Sequence, residues 1–358
     1  MTVLPQSSAG AGQKVPRAPK FSVVIVNFNG KAYLQAALDS LARQSCRDFE
    51  VLLLDNASSD GSLGGLRSDH LPAFTLIAET ENHGYAAGNN IAVKQARGDW
   101  LVFLNPDAAA SDDWLEQIAD AQARHPSVKA FTSAQFDMLE PSILDGAGDA
   151  YLVWGIPWRG GFGCPVSDLP EEGECFSPCG AGAVIDRATF VAHGGFDERF
   201  FCFCEDVDLG FRLRRAGETC IFLPTAAIRH VGGGVSGRVS EFAVFHGARN
   251  RIWTYVKNMP LSLLIVTLPG HVAISIYILI RGLMTGRAGP TFRGMMAGLA
   301  GLPRILSSRT YRARQRVSIW QLARAMAWNP FRISSRKPHV RPLRSKPVQT
   351  QGELTETK

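Results

Sequence analysis

Acidic residues disappear from the last third of this 358-residue chain: between Phe242 and Gly352 stand 18 Lys and Arg and no Asp or Glu. A region of net charge +18 is expected to meet something anionic, and phospholipid headgroups and nucleic acid are the two candidates. The opening residues, MTVLPQSSAGAGQKVPRAPK, lack any apolar run. They read as a disordered leader over residues 1–20, not as a signal peptide or membrane span, which puts the catalytic part on the cytoplasmic side. Cysteine is scarce and odd in number, seven in all. The Cys175/Cys179 and Cys202/Cys204 spacings do not repeat a zinc-ribbon pattern, so reduced, buried or loop thiols are expected in place of a zinc site.

With 46% hydrophobic and 20% charged residues, the chain can bury a large core, which excludes disordered and fibrous classes. Met1 to Glu241 carries 19 Lys and Arg against 30 Asp and Glu, net −11, the balance of an ordinary acidic enzyme. Within it Phe21–Asn27 (FSVVIVN) is a β-branched run ending at a turn, and Lys31–Gln44 has apolar residues at helical spacing. Phe49–Leu54, Thr75–Ala78 and Trp100–Leu104 are three further apolar runs, with a helix expected over Asn89–Arg97. Strands that are apolar throughout and separated by helices predict an α/β fold: a mainly parallel, Rossmann-like sheet with flanking helices. Ligands then bind beyond the carboxyl ends of the strands, so Asn27–Gly30, Asp55–Ser62 and Asn105–Asp107 should converge on one cleft.

A helix over Val207–Ala216, a strand over Cys220–Pro224 and a glycine-rich loop at Gly232–Gly237 follow. Leu261–Ile280 is uncharged and bracketed by Lys257 and Arg281, a length that would cross a bilayer as one helix. Pro269-Gly270-His271 sits in its middle, and two short interfacial or re-entrant helices are the preferred reading. The domain expectation is therefore a leader over 1–20, a catalytic domain over 21–257, an apolar and basic helical membrane-associated region over 258–335 and a disordered tail over 336–358.

Four segments can carry chemistry. Asp55-Asn56-Ala57-Ser58-Ser59-Asp60-Gly61-Ser62 is either an Asx-type helix cap or part of a ligand site. Asp107, after Asn105-Pro106, offers a carboxylate at a strand end, suited to Mg²⁺ or Mn²⁺ bridging a diphosphate. Glu205-Asp206-Val207-Asp208 puts three carboxylates before a helix, where they either complement the helix dipole or raise one proton affinity enough for a general base. His230, followed by Gly232, Gly233, Gly234 and Ser236, is a second metal-ligand candidate beside a phosphate-closing loop.

Together these pieces resemble the inverting family 2 glycosyltransferases with a GT-A fold, and within them the rhamnosyltransferase-like branch. The resemblance runs from about Phe21 to Asn250 through VVIVNFNG, LLLDNASSDGS, ENHGYAAGNN, LVFLNPD, GGFDERFFCFCEDVDLGFRLRRAG and HVGGGVS, in the family's order. It implies that Asp55 contacts the nucleotide base or ribose, with Asn27, Asn56, Ser58 and Asp60 in the same donor-binding cluster. It implies that Asn82, Gly84, Gly88 and Asn89 line the donor pocket. NPD stands where other members have DxD, so Asp107 resembles the metal ligand, Asn105 replaces the first Asp on the donor side, and His230 resembles the later metal or diphosphate contact. Asp206 matches the catalytic base, with Glu205 and Asp208 orienting it or the acceptor.

The implied reaction is inverting, metal-dependent transfer of a sugar, rhamnose for this branch, from a nucleotide-sugar donor to a hydroxyl of a cell-envelope or lipid-linked glycan. The implied setting is the cytoplasmic face of an anionic membrane surface. A processive synthase is disfavoured, since there is no Gln-x-x-Arg-Trp segment and no array of spans. A polyprenyl-phosphate glycosyltransferase is an alternative. A nucleic-acid-binding protein is the alternative of another class; it would explain the +18 region but not the uncharged run inside it, and no nucleic acid partner is expected.

Overall fold

The computed structural model describes residues 17–234, 237, 240–307 and 316–343. Strands β1 (Phe21–Asn27) and β2 (Phe49–Asn56) are buried at every position, as strands covered on both faces must be. Helix α1 (Leu34–Ala42) joins them, and β3 (Phe74–Glu79) extends the sheet to a half-exposed edge. Helix α2 (Gly84–Val93) leads to β4 (Trp100–Phe103), which pairs parallel to β1. The predicted helix over Asn89–Arg97 thus starts earlier, at Gly84.

Beyond β4 the sheet becomes mixed. In chain order come β5 (Ala108–Ala110), α3 (Trp114–Arg124), β6 (Ala130–Asp137), β7 (Leu144–Ala147), β8 (Asp149–Leu152), β9 (Ile156–Arg159), β10 (Gly173–Cys175) and β11 (Ala183–Asp186). Helices α4 (Arg187–Ala192) and α5 (Glu205–Ala216) precede β12 (Cys220–His230), which is longer than the predicted Cys220–Pro224. Strand β11 lies between β4 and β6, antiparallel to both, while β12 runs parallel to β6. The short run AVID carries no periodicity that separates it from a loop, and so escaped prediction. One face of the sheet buries Leu34, Leu38, Trp114 and Ile118; the other buries Ala86, Phe190, Leu209 and Leu213.

Helix α6 (Glu241–Asn258) is capped by Ser240, whose hydroxyl accepts from Ala243 N at 3.2 Å. Two short helices do not form over 261–280: α7 is a single helix, Leu261–Met284, with Pro269 inside it. The segment that looked like a break is the docking point. Gly270 lies against the Trp154 indole, His271 stacks on Tyr255 at 4.1 Å between centroids, and its Nδ1 is 2.8 Å from Trp154 O. These contacts offset the hydrogen bond that proline removes. Helix α8 (Ala288–Ala300) folds back onto α6.

The tail expected from residue 336 is also partly ordered. Strand β13 (Arg341–Pro342) pairs antiparallel with β10, and Arg341 Nη2 is 2.8 Å from Glu174 Oε1, a tertiary pairing that overrides a loop-like composition. The leader up to residue 16, Ser236 and residues 344–358 lie outside the described residues.

Candidate active site

The loops after β1 and β2 are tied to one another. Asn27 Nδ2 donates to Asp55 Oδ1 at 2.8 Å, to Ser58 Oγ at 3.1 Å and to Ser62 Oγ at 2.9 Å. Ser58 donates to Asp55 Oδ1 at 2.6 Å, and the Ser58 amide donates to Asp55 Oδ2 at 3.0 Å. Asp60 accepts from the amides of Lys31 and Ser62, both at 2.9 Å. Asp55 is therefore buried under protein donors in an Asx-type network that shapes the loop, and of this segment Asn56 lines a strand-end cleft.

That cleft is lined by Val26, Phe28, Asn56, Asn82, Gly84, Tyr85, Asn105, Asp107, Phe201, Cys202 and Phe242, among others. Asn56 Nδ2 donates to Gly84 O at 3.1 Å and its Oδ1 accepts from His83 N at 3.0 Å, while Asn82 Oδ1 accepts from Gly84 N at 2.9 Å. Gly84 has φ +80, and a Cβ there would meet Phe201 Cδ2 at 2.5 Å and Phe201 O at 2.6 Å. Gly88 lets α2 approach β1, since a Cβ would lie 2.9 Å from Val26 Cγ1. Asn89 is buried and donates to Tyr85 O within α2 at 2.8 Å. It braces the helix and does not line the cleft.

Asp107 and His230 come together from strand ends 123 residues apart: Asp107 Oδ1 is 3.2 Å from His230 Nε2. Asp107 Oδ2 accepts from Gly234 N at 2.9 Å, which folds the glycine-rich loop over the carboxylate. Asn105 Nδ2 is 3.1 Å from His230 Nε2, and Asn105 Oδ1 is buried with no hydrogen-bond partner. Behind the imidazole, Asp145 Oδ2 is 2.7 Å from His230 Nδ1 and 2.5 Å from Arg159 Nη1. Burial alone would raise the Asp107 carboxyl, but the His230 contact and the Gly234 N–H outweigh it and hold the pKa below the ordinary aspartate value. Burial disfavours a charged His230, yet the two carboxylates reverse that and raise its pKa. Asp107 and His230 thus set a carboxylate and an imidazole side by side, with the Asn105 amide against the same ring nitrogen, an oxygen and nitrogen donor set of the kind that holds Mg²⁺ or Mn²⁺.

The acidic triplet divides. Asp206, at the N-terminus of α5, accepts from Gly180 N at 2.8 Å and Val207 N at 2.7 Å. Tyr85, which lines the cleft, donates to Gly180 O at 3.0 Å, so Asp206 borders the cleft across Gly180. Burial raises the Asp206 pKa, and the two amide donors offset only part of that. Glu205 is buried with Oε2 unpartnered; burial and then the charge of Asp206 push it well above the usual carboxylate range. Mutual repulsion does operate, as expected from the triplet, but desolvation is the larger cause. Asp208 is not brought to the cleft. It is fully buried, with Arg212 Nε at 2.9 Å, Lys257 Nζ at 2.8 Å and Asn258 Nδ2 at 2.7 Å. An orienting role toward base or acceptor is replaced by an ion network that fastens α5 to α6, because 208 lies on the helix face turned toward α6.

The loop before α5 is strained, with Phe201, Phe203 and Cys204 at φ +63, +72 and +66. Asn250 of α6 holds it: Nδ2 donates to the carbonyls of Phe200, Cys202 and Phe203 at 2.9, 2.8 and 2.7 Å. Asp149, Cys179 and Asp206 bring ligand atoms within 4.8 Å of one another. Burial pushes the Cys179 thiol up to about 12 and Asp149 well above the carboxylate range. Sequence reasoning missed Tyr85, Asp145, Arg159 and Asn250. Only Tyr85 had a signal within reach, as the aromatic after Gly84 in the donor-pocket segment.

The family described as Glycosyl transferase family 2 matches residues 22–142. A PGL/p-HBAD biosynthesis glycosyltransferase of Mycobacterium bovis is 36% identical over 249 residues, 68% of this chain and 86% of that protein. An N-acetylglucosaminyl-diphospho-decaprenol L-rhamnosyltransferase of Mycobacterium tuberculosis is 29% identical over 249 residues, 63% of this chain and 80% of that protein. Among solved structures, a mannosyltransferase from Pyrobaculum calidifontis in complex with GDP-Man and Mn²⁺ is similar with a TM-score of 0.51 and 19% identity, covering 86% of this chain and 87% of that one. The fold is GT-A-like, with a mixed, mostly parallel central sheet and flanking helices.

Proposed function

Because this chain belongs to glycosyl transferase family 2 and is a nucleotide-sugar glycosyltransferase, we propose that it transfers rhamnose from a nucleoside diphosphate to a hydroxyl of a lipid-linked cell-envelope glycan, with inversion. The observation that carries this reading is a cleft lined by Asn105 and Asp107, with His230 against that carboxylate, whose Tyr85 bonds to Gly180, the residue that donates to the raised carboxyl of Asp206. The sugar and the acceptor class are supported by the relative named as an L-rhamnosyltransferase of a polyprenyl-diphosphate sugar. Residues 21–257 are the catalytic unit and 258–335 the membrane-associated one, working at the cytoplasmic face.

Asp107 and His230 would hold Mg²⁺ or Mn²⁺; when bound, the ion would supply positive charge against the departing diphosphate. Asn56 and Asn82, at the base of the cleft, hold the turn at Gly84 against which the donor lies. Asp206 Oδ accepts the acceptor hydroxyl proton as that oxygen attacks the anomeric carbon, and the bond to the diphosphate oxygen breaks on the opposite face. A single displacement of this kind inverts the anomeric centre, through a transition state of oxocarbenium character. A raised proton affinity makes Asp206 a better proton acceptor than an exposed aspartate.

The test is calorimetric and thermal-shift binding of dTDP-, UDP- and GDP-linked sugars with Mn²⁺ or Mg²⁺ and then with chelator, followed by NMR of the product anomer. Metal-dependent binding of a dTDP-sugar and an inverted product are expected. Binding indifferent to chelator would reject the metal site, and a retained anomer would reject the single displacement.

A further inference from the structure

We propose that α7 and α8 seat this chain on one leaflet of an anionic phospholipid membrane, with α7 lying in the membrane plane instead of crossing it. The inference deepens the reading of a lipid-borne acceptor and rests on it for its purpose; its geometry comes from how α7 packs. Helix α7 has 24 residues, enough for about 36 Å at 1.5 Å per residue. Length alone would allow a crossing.

One face of α7, however, is fastened to the catalytic domain along most of its length. Thr267 Oγ1 is 2.8 Å from Tyr255 OH, His271 Nδ1 is 2.8 Å from Trp154 O, and Ser275 Oγ accepts from Arg251 Nη2 at 3.1 Å. Ile274 and Ile278 pack against the cluster of Leu152, Ile156 and Trp158. To cross a bilayer, α7 would have to leave all of these contacts or draw the domain in with it. The second course would carry the buried Arg251, whose Nη1 already lacks a partner, into hydrocarbon.

The opposite face is apolar and open. Val266 is 73%, Ile276 53% and Leu283 70% exposed, and α8 adds Phe292 at 50%. An apolar face this long on a water-facing surface needs a cover. Charge selects the cover: Arg281 and Arg287 flank the α7–α8 turn, and no acidic residue stands between Phe242 and Gly352. A second copy placed face to face would bring two cationic rims together, whereas anionic headgroups neutralise one. The membrane face is also linked to the chemistry, since α6, which carries α7 and α8, holds the loop before Asp206 through Asn250.

The full chain is mixed with phosphatidylglycerol/phosphatidylcholine vesicles and with phosphatidylcholine vesicles alone, at low and high salt. An environment-sensitive thiol label is placed in turn on Val266→Cys, Ile276→Cys and Leu283→Cys, with the label signal of the unsubstituted chain as background. We expect salt-sensitive binding to the anionic vesicles and similar, shallow depths at all three positions by lipid-borne quenchers. A deep Ile276 label with Val266 and Leu283 near opposite surfaces would overturn the in-plane geometry. Absence of vesicle binding, with a dimer by ultracentrifugation that Val272→Glu/Ile276→Glu dissolves, would assign the face to a second copy. In the expected case that double variant loses at least about tenfold in vesicle affinity and keeps donor binding by calorimetry. Vesicle binding without binding of any nucleotide sugar would instead sink the proposed reaction and leave the docking geometry standing.

Discussion

His230 and Asp145 are 85 residues apart in sequence, yet Nδ1 of one lies 2.7 Å from a carboxylate oxygen of the other. This contact orients the ring so that Nε2 faces Asp107, and it fixes which nitrogen carries the proton when a cation takes the other. Asp145 also receives Arg159, so the chain of contacts from Arg159 to Asp107 is continuous.

Asp145→Asn keeps the shape and removes the charge. Partners behind a metal-binding histidine are worth about 10–100-fold in metal affinity. We therefore expect the Mn²⁺ concentration needed for donor binding to rise by about that factor, read by calorimetry, with the metal-independent part of nucleotide binding unchanged. Unaltered Mn²⁺ dependence would remove Asp145 from this role.

Asp206→Asn should leave donor affinity nearly intact and lower turnover by about 10²–10⁴-fold, the size of a general-base contribution. The pH profile gives an independent reading. The base works only when ionised, and burial raises its pKa. The acid limb of the rate should therefore lie above the ordinary aspartate range and be absent from the residual activity of Asp206→Asn. An acid limb at the same pH in both proteins would assign it to another group.

Much of the site was legible because it sits at strand ends. A strand followed by a short polar cluster can be recognised from sequence, and Asn56, Asn105 and Asp107 all line the cleft. Asp145 and Arg159 were not legible: they lie on four-residue strands whose pairing partners are set by tertiary structure. Asp208 was misassigned because adjacency in sequence hides direction on a helix. Residues 206 and 208, two positions apart, fall on nearly opposite sides of α5, and Lys257, which claims Asp208, is 49 residues away. Pro269-Gly270-His271 was read as a break for the same kind of reason, since the Trp154 and Tyr255 surfaces that hold it are remote in sequence.

Glu205 and Asp208 are expected to affect stability with opposite signs. Glu205 has a raised pKa, so its stabilising contribution is complete below the unfolded value and is lost as pH rises through the folded value. Glu205→Gln should thus be more thermostable than the parent near neutral pH, with the gap closing toward pH 4. The gap amounts to about 1.4 kcal/mol for every tenfold difference in proton affinity between the folded and unfolded chain. Burial would raise Asp208, but Lys257 and Arg212 reverse this and lower it, so its contribution is present above the unfolded value and lost as pH falls. Asp208→Asn leaves Lys257 and Arg212 short of a buried anion and should cost about 3–5 kcal/mol. Thermal denaturation across pH 4–8 checks both, and parallel curves for Glu205→Gln and the parent would reject the first.

Gly84→Ala tests the coupling of donor pocket to acidic loop. At φ +80 an L side chain is strained by about 1–2 kcal/mol. The new Cβ would also meet the carbonyl of Phe201 at 2.6 Å, a backbone atom that cannot rotate aside. That carbonyl accepts from Ala86 N at 3.1 Å, so relief of the clash must shift either α2 or the strained loop that leads to Glu205 and Asp206. Each shift has its own signature: movement of α2 weakens donor binding, whereas movement of the loop lowers turnover at saturating donor. We expect turnover to fall more than affinity, because Asn56 and Asn82 still brace the α2 turn while the 201–204 loop already stores strain. A variant that loses donor affinity alone would place the compliance in α2, and one with parental stability and kinetics would show that the Phe201 contact is not rigid.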